Sequence, residues 1–399
     1  MTRPQPPLQS DYDAVIVGGG PAGSTAAAEL SEAGHRVLLV DRGGRAKPCG
    51  GAIPTKLIGE FAIPKHLLTA HIRSARIFAP SQASVDMRID GGFVGMVDRE
   101  VFDPWLRDRA GLAGAEVVVA TFRDVERGTD GRLAVHIVID GVSHTIFTGL
   151  IVGADGANSA VRRTLFPNET RPPYVFAYHE IIRSPAGRPV GFDPQRCDVY
   201  YQSPISPDFY GWVFPHGDTT SVGVGSAVKG FDLRAATRLL REQAGLAERE
   251  TIREEGAPLP LKPLRRWDNG RDAVLVGDAA GVVAPSSGEG IYYAMLCGRL
   301  AAEAATQFLA TGDAKVLAQV RKRFMKLHGR VFMVLGFMQR FWYRSDKRRE
   351  RFVAICEDPD VQRLVWESYL NKRFVRTDPS AHLRVFFKDL GHLLRMAFQ

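Results

Sequence analysis

The chain has 399 residues, 45% hydrophobic and 24% charged, which is enough to bury a sizeable core in two domains and excludes a fibrous or disordered protein. Its net charge of +8 is unevenly placed: residues 321–399 hold 18 Lys/Arg against 8 Asp/Glu, whereas the first 320 hold 34 against 36. No nucleic-acid motif accompanies that basic end, so it points to an anionic membrane surface or a diphosphate-bearing substrate.

The first ten residues, MTRPQPPLQS, lack the apolar run of a signal peptide and read as a polar lead-in. Residues 12–17 form a short apolar, β-branched run, the pattern of a buried parallel strand. Gly18, Gly20 and Gly23 follow in G-x-G-x-x-G spacing. The first permits a sharp turn, the second lets backbone approach a pyrophosphate, and the third lets helix and strand pack closely. An Ala-rich helix over 24–33 points its amide end at that pyrophosphate, and Gly34 ends it. Residues 36–40 are the second strand, with Asp41 at its tip and Arg42 beyond. An acid there suits a ribose diol, which favours FAD or NAD over NADP as the resident dinucleotide. The alternative is a glycine-rich turn that binds nothing.

The next stretch, RGGRAKPCGGAIPTKLI, is read as a loop dense enough in glycine to run close to a flat ring, with Cys49 and Gly50 at its centre. The four cysteines, Cys49, Cys197, Cys297 and Cys356, are widely spaced, with no C-x-x-C pair. That argues against disulfides or a metal site and fits a reducing cytoplasm. A strand pair is expected over 72–89, then a helix over 100–113 with Asp98 as its N-cap and Phe102, Leu106 and Ala110 as its buried face. Arg99, just before that helix, either reaches the cofactor or is solvated.

Strands are expected over 116–120 and 133–139, with a turn at Asp130-Gly131. A second apolar strand, from 149, runs into Asp155-Gly156 and a helix with Ser159, Arg162 and Arg163. From about 171 to 229 the pattern becomes antiparallel sheet: strands over 174–182, 197–202, 210–215 and 220–228, crowded with aromatics. Such a face can cover a cofactor and line an apolar pocket, although ordinary strand core is the alternative. A helix over 231–244 and an extended crossover over 258–263 lead to a third strand-and-turn, residues 273–276 with Gly277-Asp278 at its tip. Gly288 and Gly290 then open a long helix to about 309, and the remainder reads as helical. Its run VFMVLGFMQRFWY is too short to span a bilayer. The final segment, 383–398, repeats apolar residues at helical spacing with a basic opposite face, a pattern that either lies on a membrane or packs on the body.

The G-x-G-x-x-G unit, the later strand–GADG–helix and the strand–GDAAG segment, in that order, resemble the flavoprotein hydroxylase-like class of FAD enzymes. The resemblance implies that Gly18, Gly20, Gly23 and Asp41 hold the ADP half, Asp155 and Gly156 lie near the pyrophosphate, and Asp278 takes the ribityl chain. Gly281 departs from that class, where many members carry His. The segments KPCGGAIP, GMVDRE, YGWVFP, PSSGEGIYYAM, YRSDKRRERFVAIC and DPSAHLRVFFKDL resemble the geranylgeranyl reductases of chlorophyll and bacteriochlorophyll synthesis, over almost the whole chain. This implies stepwise reduction of three isolated C=C bonds to give phytyl, with FAD as cofactor and NADPH as co-substrate. The substrate would be geranylgeranyl-bacteriochlorophyll or geranylgeranyl diphosphate, met at the photosynthetic inner membrane. It makes Cys49 and Tyr210 the catalytic candidates and Tyr210, Trp212, Phe214 and Pro215 the substrate-binding ones. Arg42, Cys49, Gly50, Arg99, Gly277, Gly288 and Gly290 join the cofactor set. An aromatic or polyketide monooxygenase using the same three motifs is the rival, and a pigment-carrying protein that keeps FAD structurally is a third reading.

The expected architecture is α/β: a Rossmann-like FAD domain from 10–75, 98–165 and 265–310. An inserted antiparallel β substrate domain takes 76–97 and 166–264, and a basic helical region 311–399.

Overall fold

The computed structural model describes residues 8–44, 47–187 and 189–372. The amphipathic segment 383–398 lies outside them. The chain begins with β1 (Asp11–Val17), α1 (Pro21–Glu32) and β2 (Val37–Asp41), then forms β3 (Ala52–Pro54), α2 (Thr55–Glu60), β4 (Ala70–Ile72), β5 (Ser74–Phe78), β6 (Ser84–Arg88) and β7 (Val94–Met96). It continues through α3 (Arg99–Leu112), β8 (Glu116–Val119), β9 (Thr121–Arg127), β10 (Leu133–Ile139), β11 (Val142–Gly153) and α4 (Ala160–Leu165). Next come β12 (Tyr174–Arg183), β13 (Arg196–Tyr200), β14 (Gly211–His216), β15 (Thr219–Ser226), α5 (Leu233–Gln243) and β16 (Thr251–Pro260). The last elements are β17 (Ala273–Leu275), α6 (Ile291–Thr311), α7 (Gln319–Trp342), α8 (Asp346–Ile355) and α9 (Pro359–Asn371).

Two compact units share this chain. One is built from Met1–Cys49, Arg99–Phe176 and Ala257–Gly336, the other from Gly50–Asp98, Ala177–Gly256 and Phe337–Gln399. In the first, the sheet order is β8-β2-β1-β11-β10-β9, with β17 also pairing β11. The pairs β8–β2, β2–β1, β1–β11 and β11–β17 are parallel, and β11–β10 and β10–β9 are antiparallel. The parallel strands read as continuous apolar runs because both faces are covered: Ala14, Val15 and Ile16 of β1 and Leu38 and Leu39 of β2 are fully buried. The connection reverses direction at β1, the switch point of a doubly wound sheet, where ligands seat beyond the carboxyl ends of the strands. Helix α1 begins at Pro21, three residues before the Ala-rich run, because proline is favoured in a first helical turn.

In the second unit the sheet order is β16-β12-β15-β14-β13-β5-β6. One departure from the antiparallel expectation stands out: β13 runs parallel to β5. Helix α5 covers one face of this sheet, and Ile182, Tyr200, Val213, Val222, Val224 and Leu240 make the core beneath it. Tyr200 therefore packs in ordinary core, stacked on Phe78 at 4.3 Å, while Tyr174 and Phe176 are exposed. A smaller sheet, β3-β7-β4, lies over Leu370 of α9 and Cys197. Arg349 of α8 is fully buried, and its guanidinium donates to the carbonyls of Tyr343, Ser206 and Pro207, so every charged edge is hydrogen-bonded.

Candidate active site

The first unit builds a dinucleotide cradle from three strand ends. At the end of β1, Gly18 has φ +106°, and a side chain there would strike the Ala154 carbonyl. Gly23 leaves room for the Gly18 carbonyl against α1, whereas the space over Gly20 is open to 4 Å. Among the described residues no side chain caps the first amides of α1, so they face that open space. Asp41 Oδ2 accepts the Gly19 amide at 2.7 Å and Oδ1 accepts the Gly43 amide at 2.9 Å, which ties the glycine turn to the tip of β2. Arg42 is exposed one residue on. Arg107 of α3 donates to the Gly19 carbonyl at 3.3 Å and lies 3.7 Å from Asp41. Motif spacing did not point to Arg107; its signal is the four-residue ladder Arg99, Asp103, Arg107 along one side of α3.

At the end of β11, Asp155 Oδ2 accepts the amides of Ala160 and Val161 at 2.6 and 3.1 Å and so starts α4. Its Oδ1 is buried with no hydrogen-bond partner among the described residues, and burial holds the carboxyl above the usual carboxylate range. Gly156 follows in a left-handed turn. Arg162 is buried, donating to the Ala157 carbonyl at 3.2 Å, while Arg163 is more exposed and donates to Asn158 at 2.6 Å.

Beyond β17, Gly277 and Asp278 form a 3-10 turn closed by Gly281, whose φ is +82°. A side chain at Gly281 would collide with the Lys262 carbonyl, so the histidine common in the wider flavoprotein class has no place in this turn. Lys47 ion-pairs with Asp278, a partner that sequence reading did not single out. Gly288 precedes Gly290, which starts α6 without a side-chain cap, and a Cβ on Gly290 would stand 3.9 Å from Asp278 Oδ1. An open glycine turn, an orphaned buried carboxylate oxygen and two uncapped helix starts fit the phosphates and hydroxyls of FAD.

Cys49 ends the first segment of this unit. It is half-buried, whereas the other three free cysteines are buried. Burial pushes the Cys197 and Cys297 thiols up, and Cys356 up to about 12. Arg99 is buried and bidentate to Asp103 at 2.5 and 2.7 Å. Despite burial, Asp103 and a hydrogen bond with Cys49 hold its guanidinium firmly charged. Two sequence candidates, Cys49 and Arg99, are thus brought together.

The aromatic site belongs to the second unit. Strand alternation puts Trp212, Phe214 and His216 in one row along β14, with Tyr210 one residue before the strand and in step with them. Tyr210 and Trp212 meet edge-on at 6.1 Å, and Trp212 and Phe214 stand 6.3 Å apart. A side chain on Gly50 would meet the Phe214 ring at 2.9 Å. Pro215, by the same alternation, shares the side of Val213, which lies in the core under α5, so the strand does not bring it to the row. His216 was legible only as the next step of the alternation. Its Nε2 donates to the Gly50 carbonyl at 3.1 Å, and burial pushes its pKa down to about 4.

Residues 12–121 match the model of the pyridine nucleotide-disulphide oxidoreductase family. A geranylgeranyl diphosphate reductase of Rhodobacter capsulatus is 55% identical over 96% of this chain and 97% of its own. The chain belongs to the geranylgeranyl diphosphate reductase family. A chloroplastic member from Oryza sativa is 37% identical over 99% of this chain and 89% of its own. A solved structure from Thermoplasma acidophilum, described as geranylgeranyl bacteriochlorophyll reductase-like, matches with a TM-score of 0.79 at 22% identity. It covers 93% of this chain and 99% of that one, and the two share their fold.

Proposed function

We propose that the chain reduces the three isolated C=C bonds of a geranylgeranyl group, on the diphosphate or on the bacteriochlorophyll ester, with FAD bound and NADPH as reductant. The observation that carries this reading is the 55% identity, over 96% of this chain, with the Rhodobacter capsulatus geranylgeranyl diphosphate reductase. The match of residues 12–121 to a pyridine nucleotide oxidoreductase family supports NADPH as the electron source.

Bound FAD would supply the hydride that joins one alkene carbon. An isolated alkene accepts hydride poorly, so a proton must join the other carbon, and positive charge builds on the tertiary centre. The row Tyr210, Trp212 and Phe214 gives that charge π faces and keeps water from the prenyl chain. Cys49, beside the Arg99–Asp103 pair, is the candidate to hold the proton at Sγ; Tyr210 Oη is the second. The phosphate oxygens of FAD would meet the open turn above Gly20 and the amides of α1, and its ribityl hydroxyls Asp278 and the start of α6.

Peripheral association with the photosynthetic membrane is part of the same proposal. The basic excess over 321–399 supports it, and among the described residues no helix is long and apolar enough to cross a membrane.

Anaerobic stopped-flow absorbance tests the reaction class. Flavin reduced by NADPH is expected to reoxidise when geranylgeranyl diphosphate is added without oxygen. Reoxidation only on admitting air, with an aromatic substrate hydroxylated, would establish the rival monooxygenase.

A further inference from the structure

The indole N–H of Trp212 is already committed within the sheet. Nε1 donates to Ser221 Oγ at 3.0 Å, and Ser221 Oγ lies 2.9 Å from His179 Nδ1. His179 Nε2 lies 2.9 Å from Glu255 Oε2, and Glu255 is ion-paired with Arg253, which reaches Asp98 at 2.9 Å. Trp212, Ser221, His179 and Glu255 sit on β14, β15, β12 and β16, which are successive neighbours in the sheet, so the hydrogen bonds run from strand to strand across it. His179 and Ser221 are buried, as is Trp212.

Proton directions are fixed at the two ends of the line. Ionised Glu255 can only accept, so His179 Nε2 carries a proton toward it. The Trp212 indole can only donate, so a lone pair of Ser221 Oγ accepts it. A second restraint is steric. Gly223 faces Trp212 across the β14–β15 ladder, and any side chain there would strike both the indole and His179. Ordinary packing of a tryptophan needs one acceptor, not a buried imidazole anchored by an ion pair.

We propose that Glu255, His179 and Ser221 are positioning residues that fix the plane of the Trp212 indole, so that its π face meets the carbon where positive charge develops. This rests on the reductase reading above. The test uses full-length, FAD-loaded protein with NADPH and geranylgeranyl diphosphate, comparing Ser221→Ala, Trp212→Phe and the double variant. Each single change is expected to lower kcat about tenfold with KM held within about twofold, and the double variant to be no worse than Trp212→Phe alone. His179→Gln is expected to behave as Ser221→Ala does. Flavin content and melting temperature report whether each variant folds. An unchanged kcat in Ser221→Ala, or losses that multiply in the double variant, would overturn the proposal. If the wild type leaves geranylgeranyl diphosphate untouched, the reductase reading fails separately. The tether is then read from the Trp212 indole N–H resonance, identified by its loss in Trp212→Phe. That resonance must move in Ser221→Ala and His179→Gln, and a resonance that stays put in both overturns the positioning claim.

Discussion

His216 shows what burial does to a single side chain at this site. Its folded pKa of about 4 lies below the ordinary histidine value of 6.5 because charging it would strip an ion of water. Between those values the unfolded chain binds the proton and the folded one does not, so stability is full above pH 6.5 and is lost as pH falls toward 4. The gap corresponds to on the order of 3 kcal/mol. Melting temperature is therefore expected to drop more steeply from pH 7 to pH 4 in the wild type than in His216→Gln, and equal slopes would contradict the assignment. Single residues also mark where sequence reading runs out. Gly18, Asp41 and Cys49 announce themselves by motif. Lys47, Arg107 and Glu255 do not, because an ion pair between residues 231 apart, such as Lys47 and Asp278, leaves no local trace.

At the scale of elements, hydrophobic period carries furthest where a strand is buried on both faces. β1, β2 and β17 and the helices α1, α3, α5 and α6 lie within a few residues of their expected places. β9 and much of β16 leave little trace in the sequence because their exposed positions carry charged side chains, as in Thr121–Arg127, and dilute the apolar signal. The parallel β5–β13 pairing was equally hidden, since the partners are more than a hundred residues apart and pairing partners are a tertiary choice. The glycine-dense loop is shorter than its composition suggests: β3 and α2 begin at Ala52 and Thr55, within it. The βαβ unit yields its own prediction. Gly23→Ala puts a methyl into the Gly18 carbonyl, so the turn must shift just where the pyrophosphate would seat. FAD affinity is expected to fall at least about tenfold, roughly 1.4 kcal/mol, by flavin fluorescence titration, with far-ultraviolet circular dichroism unchanged. Unaltered affinity would remove the ADP half from this turn.

For the whole molecule, the informative asymmetry is charge. The last 79 residues carry the entire positive excess, and on α7 the side chains of Met333 and Phe337 are exposed, with Arg330 and Arg340 before and after them. Basic residues near an anionic surface contribute about 1 kcal/mol each and are screened over roughly 10 Å at 0.1 M salt. Cosedimentation with phosphatidylglycerol vesicles is expected at low salt and is expected to vanish near 0.5 M; equal binding to neutral vesicles would contradict an electrostatic dock.

Function was legible from the order of three strand-end motifs and the segments around Cys49 and Trp212, whereas the hydrogen-bonded line behind Trp212 needed the sheet. The most direct test of the reductase reading is the mass of the prenyl product after anaerobic incubation of FAD-loaded protein, NADPH and geranylgeranyl diphosphate. Products heavier by two, four and finally six hydrogens are predicted. An unchanged mass, with NADPH consumed only once oxygen is admitted, would contradict it.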